Sequence, residues 1–526
     1  MIRISQLKIG IDESVDLLSD LIAKKLKIAS SEILDYRIFK ESVDARRGSV
    51  TFVYTVDVTI NNEASVLGRG LSNVTQTPDL AYKMPTSVGQ APIEPPVVIG
   101  FGPAGMYAAL LLAQCGYHPI VLERGEAVDE RAVTVDNFWR NGELNPESNV
   151  QFGEGGAGTF SDGKLTTRVK DLRGRKVLEE LVAAGAPPEI LYQAHPHVGT
   201  DLLRNVVKNI REKIIQLGGT VRFNTKVEDF ELTDGQITAV VTQKEIIKTK
   251  NVILAIGHSA RDTFTKLYEH KIEMVAKPFA VGARIEHPQK LINQAQYKEF
   301  ADHPKLGAAE YRLTHQASNG RGVYTFCMCP GGYVVPSSSE PNTVVTNGMS
   351  EHARSEPNAN SAVLVQVTLD DFASDHPLAG VEFQRDLESR AFVMGGSDYK
   401  APAQRVGDFL TGQPSESVGT VEPSFFNGVK MTNLHDLFSK SICDALVEGI
   451  SAFGKKMTGF DMDDAILTAV ETRSSSPIRI NRDSETLQST TVAGLYPAGE
   501  GAGYAGGIVS SAIDGLKCAE ALIESY

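Results

Sequence analysis

Three glycines and one acid are spaced like the parts of a dinucleotide-binding turn. Gly100, Gly102 and Gly105 follow an apolar run at 97–99 and open a run of small residues. In such a strand–turn–helix unit, the first glycine permits the tight turn, the second lets the backbone approach a pyrophosphate, and the third lets helix and strand pack closely. Glu123 follows about 20 residues later, where a carboxylate accepts ribose hydroxyls. Because its charge would repel a 2′-phosphate, the spacing predicts a dinucleotide without that phosphate.

A second glycine-rich stretch, FGEGGAGTFSDGKLTTR at 152–168, is too rich in glycine for a core strand or helix. Ordering glycine costs conformational entropy, so this run needs a reason. Close approach of the backbone to a ligand is one explanation, and a flexible lid is the other. Ser161, Thr167 and Arg168 supply further hydrogen-bond donors. We expect a bound cofactor to contact Gly156, Thr159, Gly163 and Lys164.

A third glycine-rich turn, at 499–507, opens a predicted helix at 509–523. A helix start offers unpaired N–H groups and the positive end of a dipole. Such groups stabilise the negative charge that a flavin gains at its N1–C2=O edge on reduction. Glu500 lies where a carboxylate can bind ribityl hydroxyls. The helix starts at Gly102 and Gly507 are therefore predicted to meet opposite ends of one FAD.

Apolar periodicity and composition divide the chain into units that must position these residues. Residues 1–83 follow a β-α-β-β order and predict a small α+β module, and the proline-rich stretch 84–96 predicts a linker. Residues 97–275 and 488–526 predict an α/β nucleotide-binding domain. A hairpin laid between a helix and a returning parallel strand is typical of flavoproteins. Residues 276–487 predict an inserted mixed α/β substrate domain.

The assembled pattern resembles the glutathione-reductase-like FAD superfamily, in its branch with a single nucleotide-binding domain. Within it, the chain is similar to a bacterial family of uncharacterised FAD-dependent dehydrogenases. The matching segments are 152–168, YTFCMCPGGYVV at 324–335, ETRSSSPIRI at 471–480 and GLYPAGEGAGYAGGIVSSAIDG at 494–515. The resemblance implies an α/β fold with a Rossmann-like FAD domain of the ββα type, FAD as cofactor, and an FAD-dependent oxidoreductase.

The resemblance also implies which residues contact each part of the FAD. It implies pyrophosphate contacts from Gly100, Gly102, Pro103, Ala104 and Gly105. It implies a ribose contact from Glu123 beside Arg124, an adenine contact from Val227, and Gly257 near the pyrophosphate. It implies ribityl contacts from Gly499 and Glu500, and isoalloxazine contacts from Gly506, Gly507 and Ile508.

The expected reaction passes a hydride or an electron pair between flavin N5 and a small molecule. Flavin hydroxylases usually carry Gly-Asp where this chain has Gly499-Glu500, which disfavours a monooxygenase. No second G-x-G-x-x-G follows a strand, so NAD(P)H would bind transiently or a protein would donate the electrons. The alternatives are a flavin-bound sensor that docks a partner through residues 1–83, and a flavin-dependent tRNA-modifying enzyme.

Cys327 and Cys329 are the most reactive-looking pair of side chains in the sequence. Residues two apart in a strand share one face, so both thiols could point at the flavin. The alternative is a pair of small buried hydrophobes, since free cysteine is usually buried. The catalytic residues are left unassigned.

Histidines and arginines offer weaker candidates, each with a structural alternative. His258 follows a predicted strand end, and His195 and His197 could form a proton-transfer or anion site. The structural alternative is favoured for all three, and for His258 it is a loop histidine bonded to backbone. Arg473 and Arg479 could clamp a substrate carboxylate or phosphate. The alternative for both arginines is a salt bridge to an acid of the inserted domain.

Composition limits the class of protein. The formal net charge of −13 argues against a broad contact with nucleic acid. No apolar run reaches the roughly 18 residues of a membrane span, and the start lacks a signal-peptide core, so a cytoplasmic location is expected. The five cysteines are too few for a disulfide framework, and no ligand spacing predicts a metal site. A basic turn at 44–48 is either a charged hairpin tip or a contact for an acidic partner or for the second domain.

Overall fold

A small antiparallel sheet forms the start of the chain. The computed structural model describes residues 1–45, 49–86, 92–167 and 169–526, so residues 46–48 of the basic turn, residues 87–91 of the linker and Arg168 lie outside it. The elements are β1 (Ile2–Gly10), α1 (Leu18–Leu26), β2 (Ile33–Asp44), β3 (Thr51–Ile60), α2 (Glu63–Leu67) and β4 (Val74–Gln76). The sheet order is β2-β3-β1-β4, and α1 packs its apolar face against it. We refer to it as the N-terminal module.

The nucleotide-binding turn begins a run of alternating strands and helices. Its elements are β5 (Val97–Ile99), α3 (Pro103–Gln114), β6 (Ile120–Leu122), α4 (Val128–Asn141), α5 (Arg173–Ala183), α6 (Thr200–Gln216), β7 (Thr220–Arg222), β8 (Val227–Thr233), β9 (Gln236–Thr242), β10 (Ile246–Lys248), β11 (Val252–Leu254), α7 (Arg261–Glu269) and β12 (Met274–Ala276). Strands β8 to β10 form a separate antiparallel sheet, in which the two-residue turn Asp234-Gly235 joins β8 to β9. This is the predicted hairpin between a helix and a returning strand.

The inserted domain is organised around a seven-stranded sheet. Its elements are β13 (Phe279–Pro288), α8 (Gln289–Tyr297), β14 (Thr314–Gln316), β15 (Gly322–Cys329), β16 (Tyr333–Pro336), β17 (Thr346–Met349), β18 (Asn358–Val367), α9 (Ala379–Gly395), β19 (Ala401–Arg405), α10 (Val406–Thr411), β20 (Val429–Met431), α11 (Lys440–Lys456) and β21 (Ile466–Glu471). The sheet order is β14-β15-β18-β13-β21-β19-β20. Helix α11 buries an apolar face, including Leu446 and Phe453, in the core of this domain.

The chain then returns to the nucleotide-binding domain. The last elements are β22 (Ile478–Ile480), β23 (Leu495–Pro497) and α12 (Ile508–Glu524). Strand β22 pairs with β12, so the two crossings between the domains lie side by side. Strand β23 pairs with β11 and completes a parallel sheet of order β7-β6-β5-β11-β23, the doubly wound arrangement of nucleotide-binding domains. Helix α12 packs so closely on α3 that a side chain at Gly515 would collide with the Ala104 carbonyl.

The structure adds an element where the sequence predicted none. The polar stretch at 126–149 contains α4, whose buried residues include Arg131 and Trp139. Within the described residues, no helix is long and apolar enough to cross a membrane, and no cluster of three histidine, cysteine or acidic side chains could hold a metal ion.

Candidate active site

One cavity of about 840 Å³ lies between the nucleotide-binding domain and the seven-stranded sheet. Both glycine-led helix starts, at Gly102 and Gly507, line it, together with Glu123 and Cys327. Sites for small molecules and cofactors typically occupy about 300 to 1,000 Å³. Two helix starts about 400 residues apart in the sequence therefore open into one common space.

The three glycines of the first turn have three different surroundings. Gly100 has a φ of +94°, and a side chain there would collide with the Ala255 carbonyl. A side chain at Gly105 would collide with the Gly100 carbonyl, because α3 and β5 pack closely at this point. A Cβ atom at Gly102 would approach only the Gly156 Cα, at 3.7 Å, so this backbone faces the cavity. These are the roles assigned to such glycines in dinucleotide-binding turns.

The Glu123 carboxylate is buried and fixed by backbone donors. It accepts hydrogen bonds from the N–H groups of Phe101 (2.8 Å), Gly125 (2.9 Å) and Gly153 (2.9 Å). It also lines the cavity, with lone pairs left for a ligand hydroxyl. The same carboxylate thus joins the first glycine turn to the second glycine-rich stretch.

Arg124 also lines the cavity, but its guanidinium is engaged in an ion-pair network. It pairs with Glu147 at 2.7 Å and with Asp262 at 2.9 Å, and it stacks on the Phe152 ring at 4.1 Å. Lys226 pairs with the same two carboxylates. The network holds α7 against the rim of the cavity, so the main partners of Arg124 are protein groups.

A buried arginine fixes the second glycine-rich stretch. Arg131 of α4 is fully buried, and burial lowers its pKa to about 10. Its guanidinium donates to four backbone carbonyl oxygens, those of Asn149 (2.9 Å), Val150 (2.9 Å), Glu154 (2.6 Å) and Gly156 (3.0 Å). This bonding makes the stretch a rigid wall of the cavity and disfavours the alternative of a flexible lid.

Three of the predicted contact residues do not line the cavity. Gly105 serves helix–strand packing. Thr159 is buried, and its hydroxyl donates to the Glu154 carbonyl at 3.2 Å. Gly499 donates its N–H to Asp514 at 2.7 Å, and a Cβ there would lie 2.7 Å from that of Ala104. We therefore assign these three residues to packing. The other predicted residues line the cavity, namely Gly100, Gly102, Pro103, Ala104, Glu123, Arg124, Gly156, Gly163, Lys164, Val227, Gly257, Glu500, Gly506, Gly507 and Ile508.

The residues around the second helix start fit a bound flavin dinucleotide. Side-chain positions built at Gly257 and Gly506 meet no atom within 4 Å, so the backbone there is open to a ligand. His258 Nδ1 lies 3.2 Å from Glu500 Oε1. Its Nε2 is buried and has no hydrogen-bond partner within the described part of the chain. A buried orphan donor or acceptor of this kind is satisfied by a ligand or an ordered water.

A cluster of four charged side chains lies at the cavity wall, and three of them, Asp162, Lys164 and Glu310, line the cavity from both domains. Lys164 lies 2.9 Å from Asp162 and 3.6 Å from Glu310, and Arg354 bridges the same two carboxylates at 2.6 and 2.7 Å. Burial alone would raise the pKa of Asp162, but the charges of Lys164 and Arg354 outweigh it and lower that pKa to about 2. Glu310 also approaches His195, at 3.7 Å, whose ring is largely exposed. The cluster holds the Lys164 ammonium at the cavity wall.

A second buried network joins the two domains at the cavity wall, where Arg473 is one of the lining residues. Glu388 of α9 is fully buried and accepts from Arg261 at 2.8 Å and from Arg473 at 3.1 Å. Arg473 therefore forms the salt bridge to an inserted-domain acid. Arg479 instead stacks on the Tyr504 ring at 5.2 Å, so the two arginines do not form a clamp. The pKa of Glu388 is lowered, because the two guanidinium groups outweigh the effect of burial.

The histidines at 195 and 197 differ in their surroundings. His197 Nε2 lies 3.0 Å from the His352 carbonyl, and the two rings stack with centroids 5.1 Å apart. Burial lowers the pKa of His197. His197 therefore ties two loops together, and only His195 lines the cavity.

Comparisons with known proteins give matches over three segments of the chain. Residues 95–271 match the pyridine nucleotide-disulphide oxidoreductase family, and residues 278–474 match the family described as FAD-dependent protein, C-terminal domain-like. Residues 1–59 match a domain of unknown function. An uncharacterized protein of Clostridium beijerinckii is 50% identical over 100% of this chain and 99% of its own length.

Solved structures with partial similarity are enzymes of several kinds. A glycine oxidase from Bacillus cereus is 11% identical, with 82% of this chain and 95% of that chain covered and a TM-score of 0.31. The tetracycline destructase Tet(51) is 12% identical, with 82% and 83% covered and a TM-score of 0.33. The halogenase PltM is 11% identical, with 82% and 67% covered and a TM-score of 0.35. Similarities this low carry no argument about activity.

Proposed function

Since the chain belongs to a family of FAD-dependent oxidoreductases, we propose that it is a dehydrogenase or reductase for a small molecule bound against the seven-stranded sheet. When bound, FAD supplies transfer of a hydride or an electron pair at its N5 atom. One observation supports this proposal above the others. A single cavity is lined by the dinucleotide turn, by the second helix start and by side chains of the inserted domain.

Two helix starts supply the charge complementarity that the cofactor needs. The start of α3, at Gly102, offers backbone N–H groups and a positive dipole end suited to a pyrophosphate. The start of α12, at Gly507, offers the same to the negative charge of a reduced flavin ring. Glu123 and Glu500 line the same cavity and are suited to sugar hydroxyls. These residues would bind and orient FAD, and none of them has to move a proton.

The inserted domain offers an apolar surface with one ammonium group beside it. Tyr324, Phe326 and Met328 of β15 line the cavity, and Lys164 faces it from the opposite domain. Burial alone would lower the pKa of Lys164, but Asp162 and Glu310 outweigh it and raise that pKa, so the amine stays protonated. We therefore propose a substrate with an apolar body and a carboxylate or carbonyl oxygen. Lys164 would hold that oxygen.

The electron donor or acceptor is a separate partner in this proposal. The nucleotide-binding turn at Gly100–Gly105 is taken by FAD, and the sequence carries no second turn of that kind. We propose that a nicotinamide dinucleotide binds transiently, or that a redox protein exchanges electrons with the flavin. A long-lived nicotinamide site is not needed for either route.

The test is anaerobic reduction of the purified protein with its bound flavin. We expect NADH, NADPH or one of a panel of small carboxylic and carbonyl compounds to bleach the flavin absorbance within seconds to minutes. Lys164→Met should raise the KM for the active compound more than about tenfold, since a charge-assisted hydrogen bond is worth about 1.5–3 kcal/mol. Lys244→Met changes an exposed lysine elsewhere and serves as the control. Protein that cannot be loaded with FAD would overturn the proposal.

A further inference from the structure

The strand β15 contains a bulge where it meets the cavity. Phe326 lies opposite Ala362 of β18, but Cys329 lies opposite Asn360, so β15 has one extra residue at this point. Cys327 within the bulge has a φ of +44°, a conformation that non-glycine residues rarely adopt. Backbone strain of this kind persists where the surrounding structure imposes it, often at functional sites. The bulge contains the two cysteines that flank Met328.

The bulge gives the two thiols unequal surroundings. Cys327 is only partly buried and lines the cavity, whereas Cys329 is fully buried behind it. The interpretation in which both thiols point at the flavin therefore fails for Cys329, which fits the alternative of a buried cysteine. The Cys329 thiol donates to the Cys327 carbonyl at 3.4 Å, so its sulfur lies against the backbone of the bulge. Residues two apart in a regular strand are about 6.6 Å apart along it, and the bulge brings the Cys329 sulfur to 3.4 Å from the Cys327 carbonyl oxygen.

A buried arginine supports the pair from behind. Arg284 of β13 donates to the Cys327 carbonyl at 3.0 Å and lies 4.0 Å from the Cys329 sulfur. Glu471 fixes the guanidinium with two hydrogen bonds of 3.0 Å. The neighbouring Cys329 side chain, aided by the charges of Arg284 and Lys164, lowers the pKa of Cys327 despite its burial, and the neighbouring Cys327 raises the pKa of Cys329. The positive charges beside the pair thus favour a thiolate, the species that attacks in thiol–disulfide chemistry.

We propose that Cys327 and Cys329 form a redox pair that exchanges two electrons with the bound cofactor. In the oxidising direction, the Cys327 thiolate and the Cys329 thiol form an S–S bond and release two electrons and one proton. The oxidised cofactor accepts all three, and reduced FAD returns them when the S–S bond breaks. The inference goes beyond the proposed function and rests on it only for the presence of FAD.

The position of the cysteine pair suits electron exchange with the cofactor. Cys327 lines the same cavity as Gly507 and Ile508 of the flavin-facing helix start. Neither Cys115, nor Cys443, nor Cys518 lines that cavity. Cys327 would therefore meet the cofactor or an external thiol compound, and Cys329 would close the disulfide from the buried side.

The first experiment counts electrons. In an anaerobic titration of the oxidised FAD-loaded protein with dithionite, we expect about four electrons per flavin, because the flavin and the disulfide each take two. Cys327→Ser and Cys329→Ser should each reduce this to about two. Cys115→Ser should leave the count at about four and serves as the matched control. A wild-type count of about two overturns the inference, even if the protein binds FAD as proposed.

The second experiment needs no variant and so does not depend on folding of the serine mutants. The FAD-loaded protein is equilibrated anaerobically with mixtures of oxidised and reduced glutathione, quenched with acid and alkylated with N-ethylmaleimide. We expect the peptide that carries both cysteines to lose two hydrogens as the mixture becomes more oxidising, and to recover two alkyl groups in the reducing mixtures. Two alkylated thiols in every mixture would show that Cys327 and Cys329 do not form a disulfide and would contradict the proposed redox pair. Failure to bind FAD would contradict the proposed function, and the peptide masses would still report on the cysteines.

Discussion

The two walls of the cavity are built from different parts of the polypeptide. The nucleotide-binding wall presents backbone, at Gly102, Gly257 and Gly506, where no side chain stands between the chain and a ligand. The inserted-domain wall presents side chains, and behind it the charges of Arg284 and Glu388 are buried and paired. A backbone site depends on local sequence, whereas a side-chain site depends on residues that meet only after folding. Cofactor binding and substrate chemistry should therefore respond to different mutations.

The largest effect is expected from a mutation that breaks the buried network between the two walls. Glu388→Gln removes the only negative charge that both Arg261 and Arg473 contact in the described residues, and an unpaired buried charge costs about 3–5 kcal/mol. We expect the free energy of unfolding, measured by urea denaturation, to fall by that amount. Glu382→Gln on the same helix is the control, because its ion pair is exposed and should contribute less than about 1 kcal/mol. Equal losses of unfolding free energy in the two variants would contradict the expected difference between a buried and an exposed ion pair.

The next effect separates cofactor binding from folding. Gly102→Val places a branched side chain where a pyrophosphate would lie, while the backbone of Gly102 has a φ of −76° that valine can adopt. We expect FAD affinity, measured by flavin fluorescence, to fall at least 100-fold, or about 2.7 kcal/mol, with the melting temperature of the FAD-free protein little changed. Gly307→Val, at an exposed position with open surroundings, should alter neither quantity. Unchanged FAD affinity in Gly102→Val would show that the backbone there is not the pyrophosphate site.

The charge cluster predicts a pH dependence of stability. The pKa of Asp162 is about 2 in the folded protein and 3.8 in its ordinary state, so its stabilising effect is complete above about pH 4 and is lost as the pH falls towards 2. A shift of this size corresponds to about 2 kcal/mol. Asp162→Asn should flatten the decline in unfolding free energy between about pH 4 and pH 2. If the unfolding free energy of the variant declined with pH as steeply as that of the wild type in this window, the carboxylate would not be stabilised by Lys164 and Arg354.

The smallest effect concerns Arg124, which the sequence places beside the ribose-binding acid. Its guanidinium is paired with Glu147 and Asp262, so the backbone and Glu123 should carry nucleotide binding. We expect Arg124→Gln to change FAD affinity less than about threefold, or about 0.7 kcal/mol. A loss of affinity as large as that expected for Gly102→Val would mean that a side chain, and not the backbone, dominates this wall.

The sequence predicts the backbone wall because its signals are local. The spacing from Gly100 to Glu123 spans one strand, one turn and one helix, and the second helix start has its own glycines at 506 and 507. The residues that the sequence does not reveal are those whose partners lie far along the chain. Arg261 and Glu388 are 127 residues apart, and nothing in either neighbourhood indicates a pairing.

Arg131 was missed for a related reason. It lies in a polar stretch whose charges look like a solvated face, and its role depends on four carbonyl groups of a loop that folds over it. Backbone acceptors leave no signal in side-chain identities. The glycines at 153–158 were the available hint, since such a density of glycine indicates that something packs against the backbone. In the structure, Arg131 packs against this stretch, and Gly156 and Gly158 of the same stretch line the cavity.

The interrupted order of the nucleotide-binding domain has a consequence for how the protein is made. Strand β23 and helix α12 emerge from the ribosome only after the whole inserted domain has been synthesised. Domains generally fold as units in the order of their synthesis. The newly made chain therefore holds an incomplete parallel sheet while the seven-stranded domain is assembled, and the flavin site is complete only after β23 and α12 have been added.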